Sequence, residues 1–447
     1  MSPAKAKTRY VCASCGAVSS TWAGKCPTCD EWNTISEEPE IIAGTSFSSK
    51  GGKLKVENFK NVSKQSTVSR LKTGVSDVDN VLGGGFVSGS VSLIAGQPGI
   101  GKSTLVLQLA ANLAANNKVL YVSGEESADQ IAMRAGRLGA KSENLSVATS
   151  TSANQIAQTI LSNAYDIVFV DSIQTMNVDE VSSSAGSVSQ ITNSTHMIMN
   201  TSKQTNTAAV IVGHVTKEGN IAGPKLLEHI VDVVLNLEGD RYGGFKILRS
   251  IKNRFGSTNE AGIFEMLEKG LMQVDNPSKS LLEQRQESDG SVVLATMEGN
   301  RPILVEVQAL VNKTSYGYPK RAASGIDLNR MNLLVAMLER RTKLNLSDKD
   351  IYINIVGGIK ITEPAADLAV CMAIGSAAKG LKLQNKAVVF GEVGLSGEIR
   401  RVNFADKRIS EAQKLGFDVI IGPPDKSNKK INPVSTVREA LNKYLKK

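Results

Sequence analysis

The sequence lacks an apolar run of about twenty residues, which is the length that a membrane-spanning helix requires. Residues 1–7 are basic but lead into no apolar segment, so they do not have the pattern of a signal peptide. We therefore expect a cytoplasmic protein without a membrane partner. Cysteine is scarce beyond the N-terminus: Cys371 alone follows Cys29, and its apolar surroundings favour a buried position in a helix.

What the sequence does contain is typical of a globular protein. Hydrophobic residues make up 41% and charged residues 21% of the 447 positions. A chain of this length is expected to form about two or three domains. The 52 basic residues outnumber the 43 acidic ones, giving a formal net charge of +9 and a pI near 9.1. This moderate positive excess suits a polyanionic partner but does not identify one.

Four cysteines near the N-terminus form two C-x-x-C pairs, which are Cys12, Cys15, Cys26 and Cys29. Two such pairs are typical of a closed tetrahedral zinc site in which thiolates fill every position. Disulfides are disfavoured in a reducing cytoplasm, and a redox C-x-x-C motif needs only one pair. We therefore predict a Zn²⁺ knuckle over residues 1–33, with a structural or partner-binding role. Residues 34–66, rich in Ser, Lys, Gly and Glu, are predicted to be a linker.

A glycine-rich segment at residues 96–104 is the most specific motif in the chain. An apolar run precedes it and an apolar helical pattern follows it, so the sequence predicts strand, turn and helix in that order. This context and the pattern G-x-x-x-x-G-K-[ST] are those of a phosphate-binding loop. Lys102 is expected to contact the β- and γ-phosphates of ATP, and Ser103 to bind Mg²⁺. The predicted nucleotide-binding residues are Gly96, Gln97, Pro98, Gly99, Ile100, Gly101, Lys102, Ser103 and Thr104.

Two further apolar strands each end in carboxylates. Residues 119–123 precede Glu125 and Glu126, and residues 167–170 precede Asp171. Asp171 is expected to hold the water shell of Mg²⁺, and Glu125 to orient and deprotonate the attacking water. Glu126 is expected to cap the following helix or to face solvent, and capping is also the alternative for Glu125.

Another apolar segment, residues 208–213, ends at His214. We interpret His214 as a sensor of the nucleotide state, with a core histidine as the alternative. Alternating strand and helix patterns with ligands at the strand ends predict a parallel sheet covered by helices on both faces. The predicted fold class is α/β, with a P-loop ATPase domain over residues 67–275.

The combination of these motifs resembles the bacterial RadA (Sms) family of DNA repair proteins over essentially the whole chain. The resemblance rests on the cysteine knuckle, on residues 96–104, 121–127 and 212–217, and on the pentapeptide Lys252-Asn253-Arg254-Phe255-Gly256. It implies a core similar to RecA and to replicative hexameric helicases. It also implies an ATP-dependent, DNA-stimulated motor that processes branched recombination intermediates by branch migration, with the recombinase RecA as partner. Such proteins form hexameric rings with single-stranded DNA in the central channel.

The resemblance changes the interpretation of Lys252 and Arg254. From the residues alone, two cations beside a glycine favour a solvated hairpin tip. In RecA-like rings this region supplies cations to the triphosphate of the neighbouring subunit. Arg254 is therefore expected to be an arginine finger, with Lys252 as its companion. A finger of this kind accelerates phosphoryl transfer by about 10³–10⁵.

Two polar stretches predict loops that face DNA. One is residues 179–200, rich in Ser, Thr and Asn, and the other is residues 217–225, which carry Lys217 and Lys225. The first departs from the family pattern, because Ala185 replaces the usual proline and Thr192-Asn193 replaces Arg-Glu.

The last predicted domain, residues 276–447, is α/β and resembles the proteolytic domain of Lon, a Ser-Lys protease. Ala365 stands where the resemblance places the catalytic serine, and Asp406 where it places the lysine. Without a nucleophile no proteolysis is expected. The cations predicted to contact DNA here are Lys320, Arg321 and Arg330, with solvated faces as the alternative.

The sequence as a whole predicts a DNA-dependent ATPase that moves along single-stranded DNA. Two other functions stay open. One is a DNA-independent RecA-like signalling ATPase, and the other, disfavoured by Ala365, is an ATP-dependent Ser-Lys protease.

Overall fold

The computed structural model describes residues 8–12, 17–32, 34–39, 69–140, 142–213, 226–239, 244–315, 317–425 and 428–446. Contacts between Cα atoms divide the chain into two compact units, Met1–Thr67 and Val68–Lys447. None of the described helices combines the length and the apolar composition that crossing a bilayer needs.

The N-terminal unit contains a small antiparallel sheet. Its strands are β1 (Thr8–Cys12), β2 (Val18–Ser19) and β3 (Ile35–Pro39), in the order β2-β1-β3. The central strand β1 pairs with β3 along its whole length. Because β3 lies beyond residue 33, regular structure continues into the segment predicted as a linker.

The second unit begins with the elements that form the ATPase core. They are β4 (Arg70–Leu71), α1 (Ser76–Leu82), β5 (Phe86–Val87), β6 (Val91–Gly96), α2 (Lys102–Leu113), β7 (Val119–Ser123), α3 (Ala128–Arg137), β8 (Leu145–Thr149), α4 (Ala153–Ser162), β9 (Ile167–Asp171), α5 (Val188–Thr205), β10 (Ala208–Val212), α6 (Leu226–Ile230), β11 (Val233–Gly239), β12 (Phe245–Asn253), β13 (Ala261–Leu267) and β14 (Gly270–Gln273).

Within the described part of residues 69–273, nine strands form one sheet in the order β14-β13-β12-β11-β6-β10-β9-β7-β8. The strands from β11 to β8 in that order are parallel, and β12 to β14 continue the sheet in antiparallel fashion. Apolar residues of α2 and α3 pack on one face, and those of α4 and α5 on the other. The predicted parallel α/β core with helices on both faces is confirmed.

Parallel pairing brings the carboxyl ends of the central strands to one edge of this sheet. We call this edge, where β6, β7, β9 and β10 end at Gly96, Ser123, Asp171 and Val212, the nucleotide edge. All four strands are fully buried, as expected for a sheet covered on both faces. The loops that follow these strands therefore emerge side by side.

The prediction of a loop over residues 179–200 is wrong for its second half. The chain is irregular only as far as Ser187, whose hydroxyl accepts a hydrogen bond from Gln190 N at 3.3 Å and caps α5. The buried Gln190 amide donates to Val181 O at 2.8 Å and holds the preceding loop against the helix. Thr192 and Asn193 are therefore helical residues.

The rest of the second unit forms another α/β layer. Its elements are α7 (Pro277–Leu282), β15 (Ser291–Glu298), β16 (Arg301–Lys313), β17 (Arg321–Ser324), α8 (Leu328–Thr342), β18 (Lys349–Ile355), α9 (Asp367–Lys379), β19 (Lys382–Leu383), β20 (Ala387–Val389), β21 (Glu392–Val393), β22 (Ile399–Arg400), α10 (Ala405–Lys414), β23 (Val419–Gly422), β24 (Asn432–Pro433), α11 (Val437–Tyr444) and β25 (Leu445–Lys446).

Within the described part of residues 277–446, seven strands form the main sheet in the order β17-β18-β16-β15-β20-β23-β24. Helix α9 packs against β15 and β16 and is buried over most of its length. Cys371 lies in this helix, and burial raises the pKa of its thiol well above the usual value. The predicted buried position of Cys371 in a helix is confirmed.

The turn between β15 and β16 joins the two sheets. Arg301 Nη1 donates to Asp77 Oδ2 at 2.8 Å, and Asn300 N donates to Asn259 O at 2.5 Å. Arg249 of the ATPase sheet pairs with Glu298. One continuous hydrophobic cluster also includes residues from both sheets. The ATPase and C-terminal layers are therefore packed as one body.

Candidate nucleotide site

Glycines shape the loop between β6 and α2. Gly99 and Gly101 have positive φ angles of 79° and 113°, which residues with a Cβ rarely adopt. A Cβ on Gly96 would lie 2.6 Å from the Leu237 carbonyl oxygen, so no other residue fits there. The loop leads directly into the N-terminus of α2, where unpaired backbone N–H groups and the helix dipole favour an anion.

Lys102 is the first residue of α2, directly after this loop, and is only 4% exposed. Its Nζ donates to Gly96 O at 2.8 Å and to Gln97 O at 3.1 Å. Burial lowers the pKa of Lys102 to about 8, although the carboxylates of Asp171 and Glu125 act in the opposite direction. Because this cation is withdrawn from water, its electrostatic interaction with a bound phosphate is strong.

Asp171 and Glu125 meet at the nucleotide edge because β7 and β9 are neighbours, with Ser123 paired to Asp171. Asp171 is 5% exposed, and its Oδ2 accepts a hydrogen bond from the Tyr121 hydroxyl at 2.8 Å. The Ser172 hydroxyl donates to Glu125 Oε1. The two acids predicted from sequence are therefore brought together, with Ser172 as the link between them.

The residues at this edge fit Mg²⁺ bound together with a triphosphate. Mg²⁺ prefers hard oxygen ligands and usually keeps several waters, so it needs few protein ligands. The hydroxyl of Ser103, in the first turn of α2, and the carboxylate of Asp171 are ligands of this type. In the described ranges there is no group of three or more His, Cys, Asp or Glu residues arranged for a metal. A cation whose remaining ligands are phosphate and water does not require one.

Sequence reasoning missed Tyr121 and Arg134 and assigned Glu126 wrongly. Glu126 forms an ion pair with Arg134 of α3 instead of capping that helix or facing solvent. The cap is Ser127, whose hydroxyl accepts from Gln130 N at 3.3 Å. The signal that was available is Tyr121 itself, because a buried tyrosine hydroxyl needs a hydrogen-bond partner.

Lys252 and Arg254 lie near the opposite ends of the sheet strands from the phosphate loop. Leu237 of β11 pairs with Gly96 at the phosphate loop, whereas Val233, at the opposite end of β11, pairs with Asn253. The four-residue offset along β11 corresponds to about 13 Å of extended strand. The structure therefore does not bring these two cations to the phosphate loop of their own chain.

Both cations have partners within the chain. Lys252 Nζ donates to Glu228 O at 2.6 Å and to Val231 O at 2.8 Å; burial, and then the charge of Arg254, lowers the pKa of Lys252. Arg254 Nη1 donates to Asp232 Oδ1 at 3.0 Å, while 53% of the Arg254 side chain is exposed. The exposed part of the guanidinium is accessible to another molecule.

Several predicted site residues lie outside the described residues or are described only in part. His214, Lys217, Lys225 and Cys15 lie outside them, and for Cys12 only the backbone, in β1, is described. Cys26 is buried, and a turn closes around it, with Cys26 N donating to Glu31 O and Asp30 N donating to Cys26 O, both at 2.9 Å. A turn of this kind around a C-x-x-C pair fits one half of a metal knuckle.

The C-terminal region that resembles a protease site is closed by an ion pair. Ala365 is buried in a short 3₁₀ turn before α9. Arg408, 1% exposed, donates to both oxygens of Glu363 at 2.8 and 2.6 Å. Burial acts to raise the pKa of Glu363, but the hydrogen bonds and charge of Arg408 outweigh it, so that pKa is lowered. Asp406 is exposed on α10.

Of the three cations predicted to contact DNA here, Arg330 is the exception. Its Nε donates to Asp367 Oδ1 at 2.9 Å and its Nη2 to Asp367 Oδ2, which makes a bidentate ion pair. The Arg330 guanidinium is therefore held by Asp367, and its contact with DNA stays a prediction. Lys320 and Arg321 lie where the chain enters the edge strand β17, close in sequence to Tyr318, which is 88% exposed.

Three family models match separate parts of this chain. A family model described as the KaiC ATPase matches residues 71–255, and a rubredoxin metal binding domain model matches residues 10–37. A model for subunit ChlI of Mg-chelatase matches residues 330–426. A crystal structure of the RadB recombinase aligns with 46% of this chain and 100% of its own at 22% identity, with a TM-score of 0.37.

Curated relatives match over nearly the full length. A DNA repair protein RadA from Listeria monocytogenes is 47% identical over 100% of both chains. One from Halalkalibacterium halodurans is 48% identical over 98% of both chains, and one from Aquifex aeolicus is 46% identical over 98% of this chain and 99% of its own.

Fold and site together define a P-loop ATPase with a RecA-like sheet, an N-terminal zinc-ribbon module and a C-terminal Lon-like layer. The chain belongs to the RadA family of DNA repair proteins. It is therefore an ATP-binding ATPase of DNA repair.

Proposed function

We propose that this ATPase is a DNA-dependent motor that binds single-stranded DNA and promotes branch migration of recombination intermediates. In this proposal each ATP site is shared by two copies of the chain. Lys102, Ser103, Glu125 and Asp171 come from one copy, and Lys252 and Arg254 from the next. Hydrolysis then changes the contacts between copies and moves the DNA-facing segments along the strand.

The observation that carries the proposal is the position of Arg254. Arg254 lies near the opposite ends of the sheet strands from its own phosphate loop. Its guanidinium is half-exposed and is bound by Asp232. Asp232 in turn accepts a hydrogen bond from Val91 N at 3.1 Å. A cation held rigidly at that place is suited to a second copy and not to its own nucleotide. A closed ring, with a hexamer as the expected form, provides such a neighbour for every site.

The relatives that match over the whole chain are named DNA repair proteins, which supports DNA as the partner. The cations proposed to contact it are Lys217, Lys225, Lys320 and Arg321, with Tyr318 placed to stack on a base. Recombination intermediates are made by a recombinase, so RecA is the expected protein partner. A role on DNA supports the cytoplasm as the proposed location.

Mg²⁺ and Zn²⁺ are the proposed metals. Mg²⁺ is supported by the oxygen ligands at the nucleotide edge, and Zn²⁺ by the two C-x-x-C pairs and the match to a metal binding domain. The zinc knuckle then stabilises the first forty or so residues by metal binding. If a chelator leaves the reactivity of the four N-terminal thiols unchanged, the zinc proposal is wrong.

The steady-state ATPase rate with and without single-stranded DNA tests the motor. We expect the DNA to raise the rate, and its affinity to fall steeply as salt increases, because phosphate contacts release counterions. An unchanged rate would favour the second candidate, a DNA-independent signalling ATPase, which the match of the core to KaiC supports.

A further inference from the structure

A buried tyrosine links the candidate metal site to a helix that carries no predicted function. Tyr121 lies in the middle of β7 and is fully buried. Its hydroxyl donates to Asp171 Oδ2 at 2.8 Å. When a donor binds one oxygen of a carboxylate, that hydrogen bond fixes the orientation in which the other oxygen is presented to a metal.

Arg134 of α3 lies near Tyr121 and forms an ion pair with Glu126. The guanidinium is close enough to Tyr121 to act on its pKa through both charge and hydrogen bonding, although burial and Asp171 dominate and raise that pKa. The Arg134 side chain is mostly buried. The position of Arg134 on α3 therefore depends on Glu126 as well as on the tyrosine.

These contacts belong to a series that begins and ends at Asp171. Glu126 follows Glu125 directly in the chain, Glu125 accepts from Ser172, and Ser172 follows Asp171. We call the closed series Asp171, Tyr121, Arg134, Glu126, Glu125 and Ser172 the acid circuit. The circuit contains both acids assigned to hydrolysis: Tyr121 donates to the Asp171 carboxylate, and Ser172 donates to the Glu125 carboxylate.

We propose that Tyr121 and Arg134 are positioning residues for nucleotide hydrolysis. Tyr121 orients the Asp171 carboxylate for the metal, and Arg134, through Glu126, sets the position of Glu125 towards the attacking water. This inference rests on the roles proposed above for Asp171 and Glu125. Neither residue needs to touch nucleotide or metal.

The first test is the Mg²⁺ requirement of nucleotide binding, measured with a fluorescent ATP analogue. Tyr121→Phe should raise the Mg²⁺ concentration for half-maximal binding about 10–100-fold, the usual effect of losing a partner of a metal ligand. Binding without Mg²⁺ should not change. Tyr165→Phe, which removes a hydroxyl from the segment before β9, is the matched control and should behave like the wild type.

Asp171→Asn separates the metal role of Asp171 from the positioning role of Tyr121. If Asp171→Asn raises the Mg²⁺ requirement and Tyr121→Phe does not, the positioning role of Tyr121 is overturned while the metal role of Asp171 stands. If neither variant changes the requirement, the metal role of Asp171 is wrong and this inference is lost with it.

The second test separates kcat from KM for Arg134. Arg134→Met should lower kcat about tenfold or more with KM for ATP within a factor of about two, because the acid is displaced while the phosphate loop is untouched. Arg134→Lys, which keeps a cation for Glu126, should recover part of kcat. Arg137→Met changes an exposed arginine of the same helix and should have no effect.

A merely structural Arg134 predicts a different pattern. Arg134→Met would then lower the stability of α3 but leave kcat per folded molecule unchanged, and Arg134→Lys would bring no recovery. Glu126→Gln keeps the size of that side chain and removes its charge. Unchanged kcat in a folded Glu126→Gln protein would also overturn the assignment.

Discussion

The nucleotide edge and the protease-like region of the C-terminal layer each hold a buried cation near a carboxylate, yet they differ in how these groups are satisfied. Lys102 donates to the carbonyl oxygens of Gly96 and Gln97, and burial lowers its pKa to about 8. Arg408 is bound by both oxygens of Glu363 and by Ala295 O at 2.6 Å. A buried cation at the start of the helix after a phosphate-binding loop is placed for an anionic ligand, whereas a cation bound by both oxygens of a carboxylate stabilises the fold.

The surroundings of Lys102 and Arg408 also differ. Gly99 and Gly101, which have positive φ angles, shape the loop that precedes Lys102. Around Arg408, the Glu363 carboxylate also accepts from Thr296 Oγ1 at 2.6 Å and Met297 N at 2.9 Å, and the guanidinium lies over the Phe390 ring. We infer that one site is built for turnover and the other for stability. The predictions that follow test that difference.

The largest effect is expected from Lys102→Met. Removing a buried cation aimed at transferring phosphates should lower the ATPase rate by about 10³, judged from the loss of a single stabilising group in other enzymes. The measurement is steady-state phosphate release. Lys118→Met, an exposed lysine before β7, is the control and should stay near the wild-type rate. Substantial activity in the Lys102 variant would mean that the loop is not the catalytic one.

Glu363→Gln should destabilise the protein without stopping hydrolysis. Breaking a buried ion pair by removing one charge costs about 3–5 kcal/mol, because Arg408 is left uncompensated. Urea unfolding at pH 7 measures this cost, and the ATPase rate per folded molecule should be unchanged. A stable variant with a lost ATPase rate would reverse our assignment of the two sites.

The same variant has a defined pH dependence. The folded-state pKa of Glu363 is lowered, so its stabilising effect is present above the ordinary carboxyl pKa and is lost as pH falls through the lower folded value. The stability difference between wild type and Glu363→Gln should therefore shrink below about pH 4. A difference that grows on acidification would contradict the ion pair.

A smaller effect is expected where the two layers meet. Arg301→Met removes the bond to Asp77 and those to Val274 O and Asp275 O, which are 3.0 and 2.8 Å long. Hydrogen bonds to charged groups contribute about 1.5–3 kcal/mol, and the urea midpoint should fall accordingly. Arg400→Met, which loses only an exposed pair with Glu398, should cost at most about 1 kcal/mol. Equal losses in both variants would mean that the junction is not specifically held.

No gain of function is expected from Ala365→Ser. The new hydroxyl would not be activated as in a Ser-Lys protease, because Asp406 stands at the position that the resemblance gives to the lysine and is exposed on α10. Casein degradation should therefore stay at background, and any sustained proteolysis would show that this region is less closed than its hydrogen bonds indicate.

The sequence was sufficient for features that are local. Residues 96–104 and the strand-end acids were predictable because strand, turn and helix patterns are short-range and parallel strands share one edge. The bond from Tyr121 to Asp171 and the ion pair of Arg408 with Glu363 join residues 50 and 45 positions apart. No periodicity indicates such pairs.

The loop predicted over residues 179–200 failed for a different reason. Helix α5 buries Ser194, Thr195 and Ser202 together with Ile191 and Ile198, so its buried face is largely polar and its amphipathic pattern is weak. Thr195 Oγ1 donates a hydrogen bond to Ile191 O at 2.7 Å. Amino-acid composition does not reveal such a bond within a helix. A run of Ser, Thr and Asn therefore looked like a loop.

The central claim is that each ATP site takes Arg254 from a second copy, and mixing two inactive variants tests it most directly. Lys102→Met keeps Arg254, and Arg254→Ala keeps the phosphate loop. Nucleotide binding by Arg254→Ala first establishes that this variant is folded. Subunits are then exchanged, and the exchange is verified by energy transfer between labels.

In a random equimolar mixture about a quarter of the interfaces combine an intact loop with an intact Arg254. We predict that ATPase activity reappears on mixing, well above the sum of the separate variants. Activity that stays at that sum after verified exchange would contradict a shared site.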